Sequence, residues 1–386
     1  MASFFAGFSG ALGESSPGAN DGYNPLAITS LDRNDNNVAR LLGRMYASYD
    51  ILKNLNFNAA VSVDFYDGVE QVYQNSQFGD GASVSGRSGF DTQRAIIWQT
   101  TNTLSYNTTI NDNHNVSAIG VFEALERTSA FSTLSSIGFA NDRLINAVSG
   151  ATPETSSSAE TSSSLVSYLL IGRYDYKQRY FLNASFRRDG SSRFGSDVKY
   201  GDFWAVSGSW LLGDEAFLSG ATFLSSLKLR AGYGTTGNEN IGDFQSQGLF
   251  TTSAYNGEPG FNPSQIANPN LTWEKSSQYN FAVDFGFFNN RLSGTVDRYN
   301  RRTTDLIFNV PVSRTTGFNS VLTNAASMEN RGWEITLNTV NVQAGDFQWT
   351  SSFNIAFNKN EVLEIGGGQT EVIDGTKKQH PRSRLV

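Results

Sequence analysis

Hydrophobic and polar residues alternate along much of this chain with a period of two. Residues 347–358 (FQWTSSFNIAFN) carry aromatic or aliphatic side chains mainly at odd positions and small or polar ones at even positions. Trp333, Ile335 and Leu337 alternate with Glu334, Thr336 and Asn338. Phe57, Ala59, Val61, Val63 and Phe65 alternate with Asn58, Ala60, Ser62, Asp64 and Tyr66, and Phe281, Val283, Phe285 and Phe287 repeat the pattern. Successive side chains of a strand point to opposite faces, so each segment has one apolar and one polar face. No helical period of comparable length appears. The pattern predicts about twelve strands, near 39–50, 55–66, 90–106, 115–127, 164–175, 179–188, 202–212, 224–234, 273–287, 291–303, 330–341 and 346–358.

The connections alternate too. Short ones fall at 53–54, 108–113, 176–178, 213–223, 289–290 and 342–345, and long ones at about 67–89, 128–163, 189–201, 235–272 and 304–329. A soluble sandwich has no reason to sort its loops by parity. A transmembrane barrel does, with short periplasmic turns and long external loops. Residues 150–164 (GATPETSSSAETSSS) read as a solvated low-complexity loop, and 235–272 as a surface binding loop. No linker or charge block divides the chain, which is read as a single architectural unit. The expected fold is all-β: a segment of an antiparallel transmembrane β-barrel.

Composition agrees once the alternation is known. Only 39% of residues are hydrophobic and mean hydropathy is −0.34, yet 13% are aromatic. A barrel strand with one lipid face and one wet face has that average. A net charge of −7 without a Lys/Arg tract leaves no electrostatic footprint for nucleic acid. The chain has no cysteine and two histidines, His114 and His380, so a zinc site or a His-based triad lacks partners.

Four motifs invite chemistry. Residues 232–237 match G-x-G-x-x-G, but no helical stripe follows to hold a pyrophosphate, so a glycine-rich strand exit is the reading. Residues 32–36 begin like a calcium loop, but Asn37 and Gly43 stand at its sixth and twelfth positions, and a polar turn is expected. Asp64, Asp284 and Asp297 occupy polar strand positions and should line a wet lumen; no motif marks a catalytic carboxylate pair. Arg187, Arg188 and Arg193 lie near Asp189 and Asp197 and are expected to form structural ion pairs. His114 is expected to be a solvated turn residue. No catalytic, cofactor or metal residue is assigned. Phe287, Phe288, Trp333 and Phe347 suit an interfacial girdle, whereas Tyr255, Phe261 and Phe318 lie in long loops and are the candidate substrate contacts.

Several blocks resemble the SusC/RagA family of TonB-dependent outer-membrane transporters. They are RRDGSSRFGSDVKYGDFWAVSGSW (187–210), LKLRAGYGTTGN (227–238), NPNLTWEKSSQYNFAVDFGFFNNRLSGTVDRYNRRTTDLI (268–307), NAASMENRGWEITLN (324–338) and FNIAFNKNEVL (353–363). The resemblance implies a wall of about half of a ~22-stranded plugged barrel in the outer membrane of a Gram-negative, Bacteroidetes-like bacterium. It also implies import of a glycan, oligosaccharide or peptide, a SusD-like surface lipoprotein as lid, and energy from TonB, and it implies no enzymatic activity. Residues 1–10 (MASFFAGFSG) do not read as a signal peptide, no plug or TonB-box segment is recognised before residue 24, and residues 376–386 do not read as a closing strand. Residues 1–386 are therefore expected to be barrel alone. The alternatives from other classes are a passive porin or structural barrel, and a soluble β-fold that binds or cleaves glycans.

Overall fold

A computed structural model describes residues 25–366 together with the backbone of Val372–Asp374 and Lys377–Gln379. After a short helix, α1 (Pro25–Leu31), the chain builds eight strands in succession: β1 (Arg33–Leu52), β2 (Leu55–Gln74), β3 (Arg87–Ile110), β4 (His114–Ile137), β5 (Thr152–Tyr176), β6 (Tyr180–Ser191), β7 (Tyr200–Leu211) and β8 (Leu224–Asn238). A separate hairpin follows, β9 (Leu249–Tyr255) with β10 (Glu258–Gln265). Then come β11 (Glu274–Phe287), β12 (Leu292–Pro311), β13 (Ser320–Ala344) and β14 (Phe347–Glu364). All but the hairpin form one 12-stranded sheet in chain order, β8 pairing directly with β11. Each segment that alternates in sequence overlaps a strand of this sheet.

Most of the connections expected to be short are tight turns, but 212–223 holds two 3-10 turns and is as long as 75–86 and longer than 192–199 and 312–319, so the parity of lengths is only partly kept. Asn111 and Asp112, and again Lys177 and Gln178, take φ between 51° and 56°. Consecutive positive φ values are what a two-residue hairpin turn with the twist of its strands requires. On the other side the strands run past the alternating segments. The 25 residues of β13 span roughly 80 Å at ~3.3 Å each, where a bilayer needs only ~9–11 residues. Beyond the bilayer both faces are wet and the alternation fades. That corrects two expectations. Residues 152–164, read as a loop, are the first half of β5, and the 235–272 stretch contains β9 and β10. Residues 377–379, read as irregular, pair with Val372–Asp374.

The chain packs as two units. The first comprises residues 25–45, 61–99 and 125–162 of the described chain. Its loops close around buried polar groups rather than an apolar core. Asp142 accepts hydrogen bonds from the Tyr73 hydroxyl (2.8 Å), the Ser76 amide (2.8 Å) and Gln77 Nε2 (2.7 Å). Asp32 accepts from the amide and the Nδ2 of buried Asn75 and so anchors this loop, and residues 33–36, expected as a polar turn, are the start of β1. Tyr73 packs edge-on against Phe139 at 5.2 Å.

The second unit comprises residues 46–60, 100–124 and 163–366 of the described chain, and its register sorts every strand into two faces. Directly opposed residues share a face. One row reads Tyr180, Trp210, Leu229, Val283, Val296, Ile335 and Ile355. Its opposite face carries Ser209, Arg230, Ala282, Asp297, Glu334 and Ala356. Aromatic rings bound the apolar face at both ends. At the short-turn end His114 lies 4.8 Å from Tyr176, Tyr176 stacks on Tyr180 at 6.1 Å, Tyr180 on Trp210 at 5.9 Å, and Phe223 on Phe287 at 6.1 Å. At the long-connection end are Phe122 with Tyr168 (5.4 Å) and Trp204 with Tyr233 (5.1 Å). From Phe287 to Tyr279 the strand covers about 27 Å, or roughly 20 Å of height at a ~40° tilt, close to the apolar band of a membrane barrel.

The pKa of Asp142 lies below its ordinary value: burial pushes it up, but the hydrogen bonds from Ser76, Gln77 and Tyr73 outweigh burial. A depressed carboxylate contributes stability that is full above its unfolded value, near 3.8, and is lost as pH falls through the folded value. Hydrogen exchange of 75–86 and 138–149 should therefore stay slow down to about pH 4 and accelerate below it. Asp142→Asn should accelerate it at neutral pH, with about 1–2 kcal/mol of local protection lost.

Candidate substrate-facing wall

On the polar face of the second unit three neighbouring strands bring charges to adjacent rows. Ala282 stands opposite both Arg230 on β8 and Asp297 on β12, which places Asp284 one step along β11 from that row. Arg230 donates from Nε to Asp284 Oδ2 (2.8 Å) and from Nη2 to Asp284 Oδ1 (2.9 Å) and Asp297 Oδ2 (3.3 Å). Thr295 Oγ1 adds a bond to Asp284 Oδ1 at 2.9 Å. These half-exposed pairs contribute on the order of 1 kcal/mol each at most. Their larger effect is to hold charge on a wet wall with neither sign in large excess.

Towards the long connections the wall hollows into a cavity of about 500 Å³ lined by Arg187, Asp189, Phe203, Asn238, Glu239 and Trp273 among others. Arg187 Nε lies 2.7 Å from Asp189, and its Nη2 donates to Ser167 Oγ at 3.0 Å. Beside it Phe194, Phe203, Leu271 and Trp273 form a buried apolar cluster. Trp273 is 3% exposed, donates from Nε1 to the Lys199 carbonyl (2.9 Å), and packs 4.9 Å from Phe194 and 5.5 Å from Phe203. Asn324 Nδ2 ties the carbonyls of Thr272 and Asp305, both at 2.8 Å. Arg193 reaches Asp243 at 2.8 Å and Glu239 at 3.8 Å. Three connections, 192–199, 239–248 and 266–273, are thus folded against one another over the upper end of the wall.

Several residues sit where the alternation puts them. Asp284 and Asp297 face the polar side, and in the first unit Asp64 pairs with Arg40 at 2.7 Å. Arg187 does pair with Asp189, but Arg188 faces Asp202 (3.8 Å) and Arg193 takes Asp243 rather than Asp197. His114 is no free turn residue: it opens β4, its Nδ1 lies 2.8 Å from the Tyr174 hydroxyl, and its ring joins the short-turn girdle. His380 lies outside the described residues. The 232–237 glycines stay in β8, where a Cβ at Gly237 would strike the Phe203 ring. Among the described residues no cluster of His, Cys, Asp and Glu is arranged to hold a metal.

Of the three candidate contacts, Tyr255 is 86% and Phe261 81% exposed, both on the β9–β10 hairpin. Tyr255 faces Glu258 and Phe261 faces Thr252, so the two rings lie on opposite faces of that hairpin. Phe318 belongs to the 312–319 connection and is half-buried. The three do not form one aromatic patch. Sequence reasoning missed Arg230, Phe203 and Trp273. Arg230 was within reach, since it holds a polar position in an alternating strand.

Residues 2–380 match the family described as TonB dependent receptor-like, beta-barrel. The chain belongs to this family. Barrels of this family lie in the outer membrane of Gram-negative bacteria. TonB-dependent receptor P39 of Formosa agariphila is 37% identical over 348 residues, covering 89% of this chain and 33% of the relative. TonB-dependent receptor SusC of Bacteroides thetaiotaomicron is 30% identical over 373 residues, covering 94% and 37%. The solved RagAB peptide transporter superposes with a TM-score of 0.86 at 26% identity, over 98% of this chain and 43% of that one. The likeness is thus to the SusC/RagA type of TonB-dependent receptor, and the chain spans about a third of the length of its curated relatives.

Trp273→Ala in the full-length receptor should destabilise the folded connections by about 3–5 kcal/mol. Limited proteolysis should then cut within 192–199 and 239–273 while the heat-modifiable barrel band persists. Loss of the band itself would place the cluster in the barrel's own stability.

Proposed function

We propose that this chain is the substrate-facing wall of an outer-membrane TonB-dependent importer of a large polar nutrient, a glycan, oligosaccharide or peptide. The observation that carries the reading is the pairing of two faces on one sheet. An apolar band between aromatic girdles suits lipid, and behind it lies a wall of paired charges, amides and hydroxyls that suits a hydrated solute. Mixed charge such as Arg230, Asp284 and Asp297 can hydrogen-bond a bulky polar cargo without trapping it by one sign of field. The protein works with a SusD-like lipoprotein over the long connections, and TonB drives it through parts of the full-length receptor outside residues 25–366. Relatives named SusC and RagAB peptide transporter support this class of function.

Tyr255, Phe261 and Phe318 are proposed to contact cargo or lid. A ring stacked on a ligand adds about 0.5–1.5 kcal/mol. Tyr255→Ala and Phe261→Ala should therefore each weaken cargo binding roughly 2- to 10-fold, measured on the receptor purified with its lipoprotein. The import reading is tested by uptake of labelled cargo in cells with and without TonB. Uptake should vanish without TonB and on removal of the 249–265 hairpin. Uptake that persists without TonB would instead mark a passive porin.

A further inference from the structure

The apolar face of the second unit is not uniformly filled. One row towards the long connections from Trp210 and Val283 comes the row Leu182, Gly208, Ala231, Phe281, Arg298 and Trp333. Gly208 and Ala231 leave this row hollow, and a groove of about 730 Å³ opens there between Trp210, Phe281 and Trp333. Backbone geometry does not require the glycine. A Cβ added at Gly208 would meet only the Phe181 carbonyl oxygen, at an ordinary 3.5 Å.

One end of the groove carries a charge that a purely apolar band would not hold. Arg298 lies over the Trp333 ring, 5.3 Å from its centroid, and donates from Nη1 to the Gly332 carbonyl at 3.1 Å. Among the described residues no carboxylate pairs with it, whereas the acids of the next rows are engaged: Glu329 with Arg331, and Glu361 with Arg331 and Lys359. A guanidinium has five N–H donors in a planar fork, so most of those of Arg298 remain for a ligand. Arg298 stands near the upper edge of the band, one row below Tyr279, Asn300, Arg331 and Lys359. An arginine there costs little if it reaches the head-group layer, and a phosphate is the bidentate partner its fork matches.

We propose that this groove is a specific lipid site: it seats an acyl chain over Gly208 and Ala231 while Arg298 holds the phosphate of an outer-leaflet phosphoglycolipid of the lipid A type. Two features favour that occupant over a phospholipid of the inner leaflet. Arg298 lies on the side of the long connections, which face the exterior. The groove is continuous with the bilayer-facing wall. In the next row Asn300 donates to Glu329, and Arg331 and Lys359 pair with Glu329 and Glu361, so the phosphate contact is assigned to Arg298. The inference rests on the membrane-spanning wall and not on the import reading.

The test is native mass spectrometry of the full-length receptor in mild detergent, titrated with purified lipid A, with enzymatically dephosphorylated lipid A and with phosphatidylethanolamine. Lipid A should bind at one site per receptor about tenfold more tightly than either of the others. Arg298→Gln should abolish the preference for the phosphorylated form, and Gly208→Leu, which fills the groove and leaves the charge, should weaken both forms of lipid A. Should Arg298→Gln fail to assemble, judged by loss of the heat-modifiable band, the phosphate comparison on the wild type and Gly208→Leu decide alone. Equal binding of the three lipids, or lipid A binding unchanged in Gly208→Leu, would overturn the proposal.

Discussion

A bilayer offers no water to backbone amides and carbonyls, and every other feature of this structure depends on how that constraint is met. Within hydrocarbon an unpaired peptide group costs several kcal/mol, so a chain without a long apolar helix spans only as strands bonded to both neighbours. Among the described residues no helix is long and apolar enough to cross. The chain-order sheet, in which each strand bonds to the next and β8 reaches across to β11, answers the constraint locally. The β9–β10 hairpin can stand apart from the sheet because it lies beyond the bilayer, where water pairs its edges.

Once the backbone is paired in strands, a two-residue period assigns each side chain to one of two solvents. The same row spacing that puts Trp210, Leu229 and Val283 against lipid puts Arg230 and Asp297 against water one residue away. Charges on the wet face stay partly hydrated and pair across strands, as Arg230 does with Asp284 and Asp297. Such pairs add little stability. Their register nevertheless resists slippage, because shifting one strand by a residue would send its charges into lipid.

That two-solvent logic explains what could be read from sequence. Phe281, Val283 and Phe285 alternate with Ala282, Asp284 and Gly286 because the membrane imposes a different medium on each side, and the strand is legible. Residues 152–164 are strand too, but with water on both faces nothing distinguishes their Ser and Thr residues from a loop. Asp284 and Asp297 were legible as wet positions, whereas their common partner Arg230 depends on the β8–β11 register, which the intervening 239–273 hides. Trp273 was invisible as a core residue for the same reason. Its partners Phe194 and Phe203 come from another connection and another strand, and only the fold brings them within 6 Å. His114 was misread because a short turn looks solvated in sequence, although in a barrel its flanks stand at the level of the head groups.

The strands outside the bilayer separate two demands that would otherwise conflict. The spanning portion must keep a strict alternation, so few of its positions are free to vary. The extensions of β5 and β13, and the connections latched by Trp273, Asn324 and Arg193, carry no such alternation. Their order comes from a small apolar cluster and from side-chain bonds to loop carbonyls, such as Asn324 to Thr272 and Asp305. Residues beyond that latch, including the exposed rings of Tyr255 and Phe261, can therefore change in size and polarity without disturbing a single row of the lipid face. In a wall built this way the latched loops are the part free to vary, and the sheet below supplies a fixed stem for them.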